Sequence, residues 1–389
     1  MNVLTVVGAR PQFIKAAALG RALARHGVEE RSVHTGQHYD DNMSDVFYRQ
    51  LEIAPPAYEL GVGSAGHGVQ TGEMMRRLEP IVVAEAPDWV IVYGDTNSTL
   101  AGALVAAKCR VRVAHVEAGL RSFNRAMPEE INRIVADHVA DAHFAPNAEA
   151  RAQLEREGIS GDVHVVGDLM IDLAREVLAE LPPRPPILDR FSLASKGYAL
   201  ATVHRAANTE DPELFRQIVD GLRRLEGRVI FPVHPRSRAL ARACGAGFGD
   251  NITLCEPLPY VEMLALQRHA RGVLTDSGGI QKEALVVGTP CTTLRPETEW
   301  RETLEHGWNV LVGADPAAIA AAGMRDPPEM PPGGIFTDSI GCAERIVRAL
   351  LAGRGMAPLA ESTTRRAKSM PASATEPREA ASVSRTSAQ

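Results

Sequence analysis

Three carboxylates stand where short apolar runs give way to polar turns, and together they suit proton transfer. Asp95 lies in Gly94-Asp95-Thr96-Asn97-Ser98-Thr99, after the run Val90–Tyr93. Taken alone, that turn makes Asp95 first a helix N-cap and only second an acid for chemistry. Glu117 lies in His115-Val116-Glu117-Ala118-Gly119-Leu120-Arg121, at the mouth of Val111–Val116. A charge there is costly unless it is paired or functional. Glu129 and Glu130 follow Pro128 and open a helix carrying Asn132 and Arg133. Acids in a first turn also complement the helix dipole, so that pair has a plainer explanation.

Other residues fit a phosphate. Gly8-Ala9-Arg10-Pro11-Gln12-Phe13-Ile14-Lys15 follows the first apolar run. A glycine lets backbone approach an anion, and Arg10 offers a fork of donors; the alternative is a tight turn with a solvated arginine. His204-Arg205 ends the run Tyr198–Val203, and Leu274 to Glu283 spells strand, small-residue turn and helix. The amides of Ser277, Gly278 and Gly279 would face a diphosphate at the helix N-terminus. Glu283 would reach ribose hydroxyls or sit solvated on the surface.

Some signals carry less. Gly61-Val62-Gly63-Ser64-Ala65-Gly66 spells G-x-G-x-x-G with Glu85 downstream, but Pro55-Pro56-Ala57-Tyr58-Glu59-Leu60 before it is a poor buried strand. NAD is not expected there, and no cofactor is expected elsewhere. His34 and His38 lack a carboxylate at helical spacing, so no metal is expected. The remaining histidines read as ordinary core or surface residues.

These residues need elements to hold them. Strands are expected at Val3–Val7, Val90–Tyr93, Val111–Val116, Val163–Val166, Tyr198–Val203, Val229–Val233, Ile252–Cys255 and Gly272–Thr275. Helical patterns intervene at Phe13–Arg25, Leu100–Lys108, Glu130–Val139, Glu213–Leu225 and Ile280–Val287. Such alternation predicts an α/β protein with parallel sheets covered on both faces. Length 389 suggests two domains. Leu181-Pro182-Pro183-Arg184-Pro185-Pro186 reads as a stiff linker. Residues 354–389 carry almost no large apolar side chains and are expected to be disordered. No internal sequence repeat is evident.

A net charge of −6 gives no footprint for nucleic acid. The opening run is too short for a signal peptide or membrane span. Cys109, Cys244, Cys255, Cys291 and Cys342 are scattered, as suits reduced thiols in the cytoplasm.

Jointly, Gly8-Ala9-Arg10-Pro11 with Lys15, Gly94-Asp95-Thr96, His115 to Arg121, Pro128-Glu129-Glu130-Ile131-Asn132-Arg133, His204-Arg205 and Asp276-Ser277-Gly278-Gly279 resemble the non-hydrolysing UDP-N-acetylglucosamine 2-epimerases. The resemblance runs from about Met1 to Leu351. It implies a glycosyltransferase-B-like pair of Rossmann-like domains facing a cleft, over 1–180 and 181–340, with a helix at 341–353 returning to the first. It also implies a cytoplasmic homodimer acting on a UDP-sugar without NAD, by anti-elimination of UDP to 2-acetamidoglucal and re-addition with C2 inverted. Asp95, Glu117 and Glu129 become acid–base groups. Arg10, the catalytic His204 and the Ser277–Gly279 turn hold the diphosphate, Glu283 the ribose, Arg133 the sugar and Met263 the uracil face, and Lys15 joins the UDP-sugar site.

Four departures stand out. Ala207 replaces a usual glutamate after His-Arg, removing a carboxylate that could orient His204. T-E-R-P-E becomes Thr298-Glu299-Trp300-Arg301-Glu302. Met263 takes an aromatic position, and Val69 takes an arginine that contacts an activating substrate in many bacterial members. Gln281-Lys282-Glu283-Ala284, Pro290-Cys291 and Thr298-Glu299-Trp300 also resemble the epimerases of UDP-2,3-diacetamido-glucuronic acid. Hydrolytic release of UDP, or glycosyl transfer on the same fold, are the rival chemistries. Removing residues 354–389 is expected to leave melting temperature and turnover unchanged; a drop of several degrees contradicts that.

Overall fold

The computed structural model describes residues 1–37, 54–233, 247–329 and 339–353, without the side chains of Arg10 and Ala206. His38, Cys244 and the expected disordered tail lie outside the described residues.

The first sheet holds β1 (Asn2–Val7), β2 (Glu29–His34), β3 (Tyr58–Glu59), β4 (Trp89–Tyr93), β5 (Arg112–Val116), β6 (Ala142–Ala145) and β7 (Asp162–Val165). The second holds β8 (Tyr198–Thr202), β9 (Arg228–Pro232), β10 (Ile252–Cys255), β11 (Gly272–Thr275), β12 (Cys291–Thr293) and β13 (Asn309–Leu311). Their orders are β3-β2-β1-β4-β5-β6-β7 and β10-β9-β8-β11-β12-β13. Described pairings such as β1 with β4 and β8 with β11 are parallel. The halves thus repeat one winding, 3-2-1-4-5-6, without repeating a sequence. In each, the order reverses between the first and fourth strands, where loops diverge and leave a crevice.

Both faces of each sheet are buried. In β1, Val3 and Val7 enter one core while Leu4 and Val6 enter the opposite one. In β8, Tyr198 and Leu200 face one core and Ala199 and Ala201 the other. That two-sided burial explains why the strands read as continuous apolar runs. β2, with sequence EERSVH and a half-exposed pattern, escapes that signal, as do the three-residue β12 and β13.

The proline-rich segment ends sooner than expected. Pro186 opens the short helix Pro186–Arg190, whose Ile187 and Leu188 enter the second core. After the second sheet, the helix Cys342–Ala352 places Ile346, Val347 and Leu350 in the first core, alongside Tyr260 and Leu264. Asp172 pins its start, accepting from Gly341 N at 2.9 Å and Ala343 N at 3.0 Å. Asp172→Ala strands these amides, and leaving buried donors unpaired costs roughly 1–3 kcal/mol each at most. Urea titration should show a clear loss of stability. An unchanged midpoint would show that the helix docks through its apolar face alone.

Candidate active site

The loops after β1 and β4 meet at the first crevice through Gln12. Its Oε1 accepts from Gly8 N (2.8 Å) and Ala9 N (3.0 Å), while Nε2 donates to Tyr93 O (2.7 Å) and to the Thr96 and Thr99 hydroxyls. Gly8 is needed for a reason other than a phosphate: a Cβ there would overlap the Ser98 and Thr35 hydroxyls. Arg10 is the first residue of the helix Arg10–Arg25.

Asp95 is not a cap. Thr96 caps the helix Asn97–Lys108, accepting from Thr99 N. A hydroxyl one residue later does that work, so the Asp95 carboxylate pairs with Arg133 instead. Burial holds Asp95 above the usual carboxylate range; Arg133 opposes that shift and Glu117 adds to it. Asn132 donates to the Asp95 carbonyl at 2.9 Å, so the helix Pro128–Val139 docks on this loop through two consecutive side chains. Arg133 also meets Glu130 at 3.2 Å. Glu130 is buried and accepts from Ser122 N and Phe123 N, which holds the loop before the helix. Its neighbour Glu129 is half-buried and has no ion-pair or hydrogen-bond partner among the described residues.

Glu117 adopts a left-handed backbone, φ 69°, unusual for a residue with a Cβ and typical of strained functional positions. Its carboxylate pairs with Lys15. Gly94, at φ 62°, leaves room for them: a Cβ there would stand 3.2 Å from Glu117 Oε2. Burial pulls Lys15 down, yet Glu117, then Asp168 and Asp95, hold it above its ordinary range.

Asp168 joins the halves. It caps the helix Leu169–Glu180 by accepting from Met170 N at 2.8 Å, and it pairs with Lys282 of the helix Gly278–Val286. Burial pushes Asp168 up, but Lys282 and Lys15 bring it below the usual range. Lys282 Nζ also stands 3.6 Å from the centre of the Trp300 ring. A chain of charges therefore runs Arg133, Asp95, Glu117, Lys15, Asp168, Lys282 from one sheet to the other, with opposite signs adjacent except where Asp95 and Glu117 stand together, each against its own cation.

Asp276 organises the second crevice. Fully buried, it accepts from His204 N (3.0 Å), Arg205 N (2.9 Å) and Asn208 Nδ2 (3.1 Å). Its Oδ1 lies 3.2 Å from His204 Nδ1. A carboxylate on the loop after β11 thus stands beside His204 although Ala207 carries none, and Asp211 is engaged in capping the helix Pro212–Arg223. Ser277 sits at the N-cap of Gly278–Val286 without a side-chain capping bond, leaving the first amides of that helix open to an anion. Gly278 has Trp300 Nε1 2.7 Å from a would-be Cβ, and Gly279 has Met170 Cε at 3.0 Å.

Two further candidates lie in the interior. Glu283 is not a solvated surface residue: it is 5 % exposed and accepts from Gln267 at 2.7 Å. Met263 packs in the second core at 8 % exposure, offering a base little surface in this conformation. Gln12, Asp168 and Lys282 carried no expectation of their own, because each acts through a partner far off in sequence. Among the described residues, no group of three or more histidines, cysteines or acids is arranged to hold a metal. No described helix is long and apolar enough to cross a membrane.

A family model described as UDP-N-acetylglucosamine 2-epimerase matches residues 21–325. The chain belongs to that family. A Methanococcus maripaludis protein named a UDP-N-acetylglucosamine 2-epimerase homolog is 47% identical over 324 residues, covering 82% of this chain and 90% of its own. A Pseudomonas aeruginosa relative, UDP-2,3-diacetamido-2,3-dideoxy-D-glucuronate 2-epimerase, is 46% identical over 322 residues, covering 81% and 89%. The crystal structure of the Methanocaldococcus jannaschii UDP-GlcNAc 2-epimerase, in complex with UDP-GlcNAc and UDP, aligns with TM-score 0.80 at 38% identity, over 91% of this chain and all of that one. The epimerase family's two-domain, glycosyltransferase-B-like architecture is the one described above.

The Asp168–Lys282 pair generates a pH prediction. Lys282→Met leaves a buried carboxylate with only Lys15 to answer it, and breaking such pairs costs about 3–5 kcal/mol. Asp168 is depressed in the fold, so the pair's stabilisation is present above the unfolded value of about 3.9 and is lost as pH falls through the folded one. Denaturation at pH 7 should show the full loss, and the wild-type advantage should shrink below about pH 4. An advantage independent of pH would mean that packing, not charge, joins the halves.

Proposed function

We propose that this chain interconverts UDP-N-acetylglucosamine and UDP-N-acetylmannosamine without net hydrolysis. The C2 proton passes to a carboxylate as the C1–oxygen bond breaks and its electrons leave with UDP, giving 2-acetamidoglucal. UDP then re-forms the bond while C2 takes a proton on the opposite face. Because C2 is not beside a carbonyl, its proton becomes removable only as charge develops at C1. The reaction therefore needs acid–base groups on the sugar and positive groups on the diphosphate.

One observation carries this reading: Asp95 and Glu117, from adjacent strand ends, face different partners, Arg133 and Lys15. Asp95, raised by burial, suits holding a proton, while Glu117 stands against a cation. Glu129, in the first turn of the helix docked on Asp95, is the third acid–base candidate. Arg10, His204, Ser277, Gly278 and Gly279 are assigned to the diphosphate and Glu283 to the ribose. Met263 is assigned to the base and Arg133 to the sugar, and both must move or share partners to serve. Domain limits of 1–180 and 181–340, a homodimer and a cytoplasmic location complete the reading. Val69 and Val83, both well exposed on the helix His67–Glu85, offer an apolar surface to a second copy.

A second reading, on UDP-2,3-diacetamido-glucuronic acid, is favoured by the 46% identity to the Pseudomonas relative, almost equal to the 47% above. Separate incubations with each UDP-sugar and no acceptor decide between them by kcat/KM. Dependence on an acceptor would instead support glycosyl transfer. Glu117→Gln should lower turnover on the order of 10²–10⁴-fold. A near-wild-type rate removes Glu117 from the chemistry. Arg10→Ala and Ser277→Ala should each weaken UDP binding in calorimetry, about tenfold for a charged contact; unchanged affinity in both contradicts a diphosphate site shared by the halves.

A further inference from the structure

His115 lies in the middle of the site without touching the place proposed for substrate. It ends β5 with Val116, its ring is wholly buried, and both ring nitrogens are engaged. Nε2 stands 2.7 Å from the Gly94 carbonyl and Nδ1 stands 2.7 Å from Asp137 Oδ1. A carbonyl oxygen has no proton to give, so Nε2 must donate. Asp137 has none either: its Oδ2 takes Gly119 N at 3.1 Å and Arg121 Nη1 at 2.6 Å, and Arg121 is held in turn by both oxygens of Glu157. Burial pushes Asp137 up, but His115 and Arg121 bring it below the usual range. Nδ1 must therefore donate as well.

We infer that His115 is a positioning residue of the proposed reaction: its doubly protonated ring ties the Gly94 carbonyl to Asp137, and thereby fixes Asp95 and Glu117 relative to one another.

The neighbouring strand supplies an internal contrast. His143 is the register partner of His115 in the β5–β6 pairing. Its Nε2 donates to the Asp137 carbonyl at 2.7 Å, while Nδ1 has no partner among the described residues. Burial holds His143 below the ordinary histidine range. Two adjacent buried rings would repel if both were charged. The one with two acceptors takes the charge and the other stays neutral. Burial also pulls His115 down, but Asp137, then the Gly94 carbonyl and Glu117, hold it above its ordinary value. The charged or titratable groups around it are Asp137 from the helix Pro128–Val139, Glu117 and Arg121 from the loop after β5, and His143 from β6.

The consequence is geometric. The Gly94 carbonyl belongs to the peptide that leads directly into Asp95, and Gly94 N donates to Val116 O at 2.9 Å. Holding both ends of Gly94 against β5 prevents that peptide from rotating. Glu117 follows His115 by two residues and is fixed by its own amide bond to Phe144 O at 3.0 Å. The ring therefore acts through the two carboxylates and the backbone that presents them.

The inference rests on the proton-transfer role given to Asp95 and Glu117, and the tests separate the two. In uniformly ¹⁵N-labelled wild-type protein at pH 7, long-range ¹H–¹⁵N correlation should show both His115 nitrogens protonated. His143 should show one bare nitrogen at the same pH. Assignment comes from loss of the signal in His115→Gln, or from contacts to the Val116 methyls if that variant does not fold. A neutral His115 ring at pH 7 overturns the inference whatever the enzyme's activity. In folded His115→Gln, kcat should fall ten- to a hundredfold with the Kd for UDP changed less than twofold. Wild-type kcat should decline on the alkaline side as the ring loses its proton, and the variant should lack that limb. Wild-type kcat in the folded variant also overturns the inference. A wild-type enzyme inactive on both UDP-sugars overturns the functional reading and the positioning role with it, even if the ring is charged.

Discussion

A carboxylate as deeply shut from water as Asp168 stays charged only if a cation stands against it, and the halves of this protein meet where that need is answered. Lys282 comes from a helix of the second sheet and Lys15 from the first helix of the chain, so Asp168 is shared between them. Each lysine has its own further partner, Trp300 for Lys282 and Glu117 for Lys15. Burying carboxylates without cations would be prohibitive; here Asp168, Glu117 and Asp95 each have one, even where Asp95 and Glu117 stand side by side as like charges. The site's geometry depends on that pairing, because moving one member uncovers the charge of its partner.

The same logic explains why the molecule needs two crevices. In each sheet the loops that leave the paired first and fourth strands diverge, and in each a buried polar side chain bridges them. Gln12 does so in the first sheet by serving as acceptor to one loop and donor to the other. In the second sheet Asp276, on the loop after β11, gathers the amides of His204 and Arg205 after β8. The difference in charge has a chemical use. A neutral bridge in the first half leaves the electrostatics to Asp95 and Glu117, while an anionic bridge in the second holds a histidine and an arginine close to a helix N-terminus.

Glu117 was legible in the sequence because a charge at the mouth of an apolar strand has few bland explanations. Most of the parallel strands were legible as apolar runs because both their faces are buried, whereas β2, β3, β6, β12 and β13 were not. Asp95 was half legible: the turn was evident, but a choice between Asp95 and Thr96 as cap depends on side-chain angles that spacing does not encode. The spacing left Glu283 open between a ribose contact and a solvated acid, because Gln267, which buries it, lies on a different helix. Gln12, Asp168 and Lys282 were hidden for the same reason, since the contacts that join distant elements, Gln12 to Tyr93 and Asp168 to Lys282, span 81 and 114 residues. His115 was legible only as a core histidine, because its charge follows from two acceptors on two other elements. The left-handed backbone at Glu117 had no signal at all, as glycine would normally mark such a position.

The central claim is that carboxylates at the first crevice exchange the C2 proton while UDP leaves C1 and returns. A proton NMR time course with UDP-N-acetylglucosamine in heavy water follows all of these events together. The account predicts that the C2-inverted UDP-sugar appears, that deuterium enters C2, and that free UDP stays at a small steady level. Inversion without deuterium at C2, or accumulation of free UDP and N-acetylmannosamine, would contradict it.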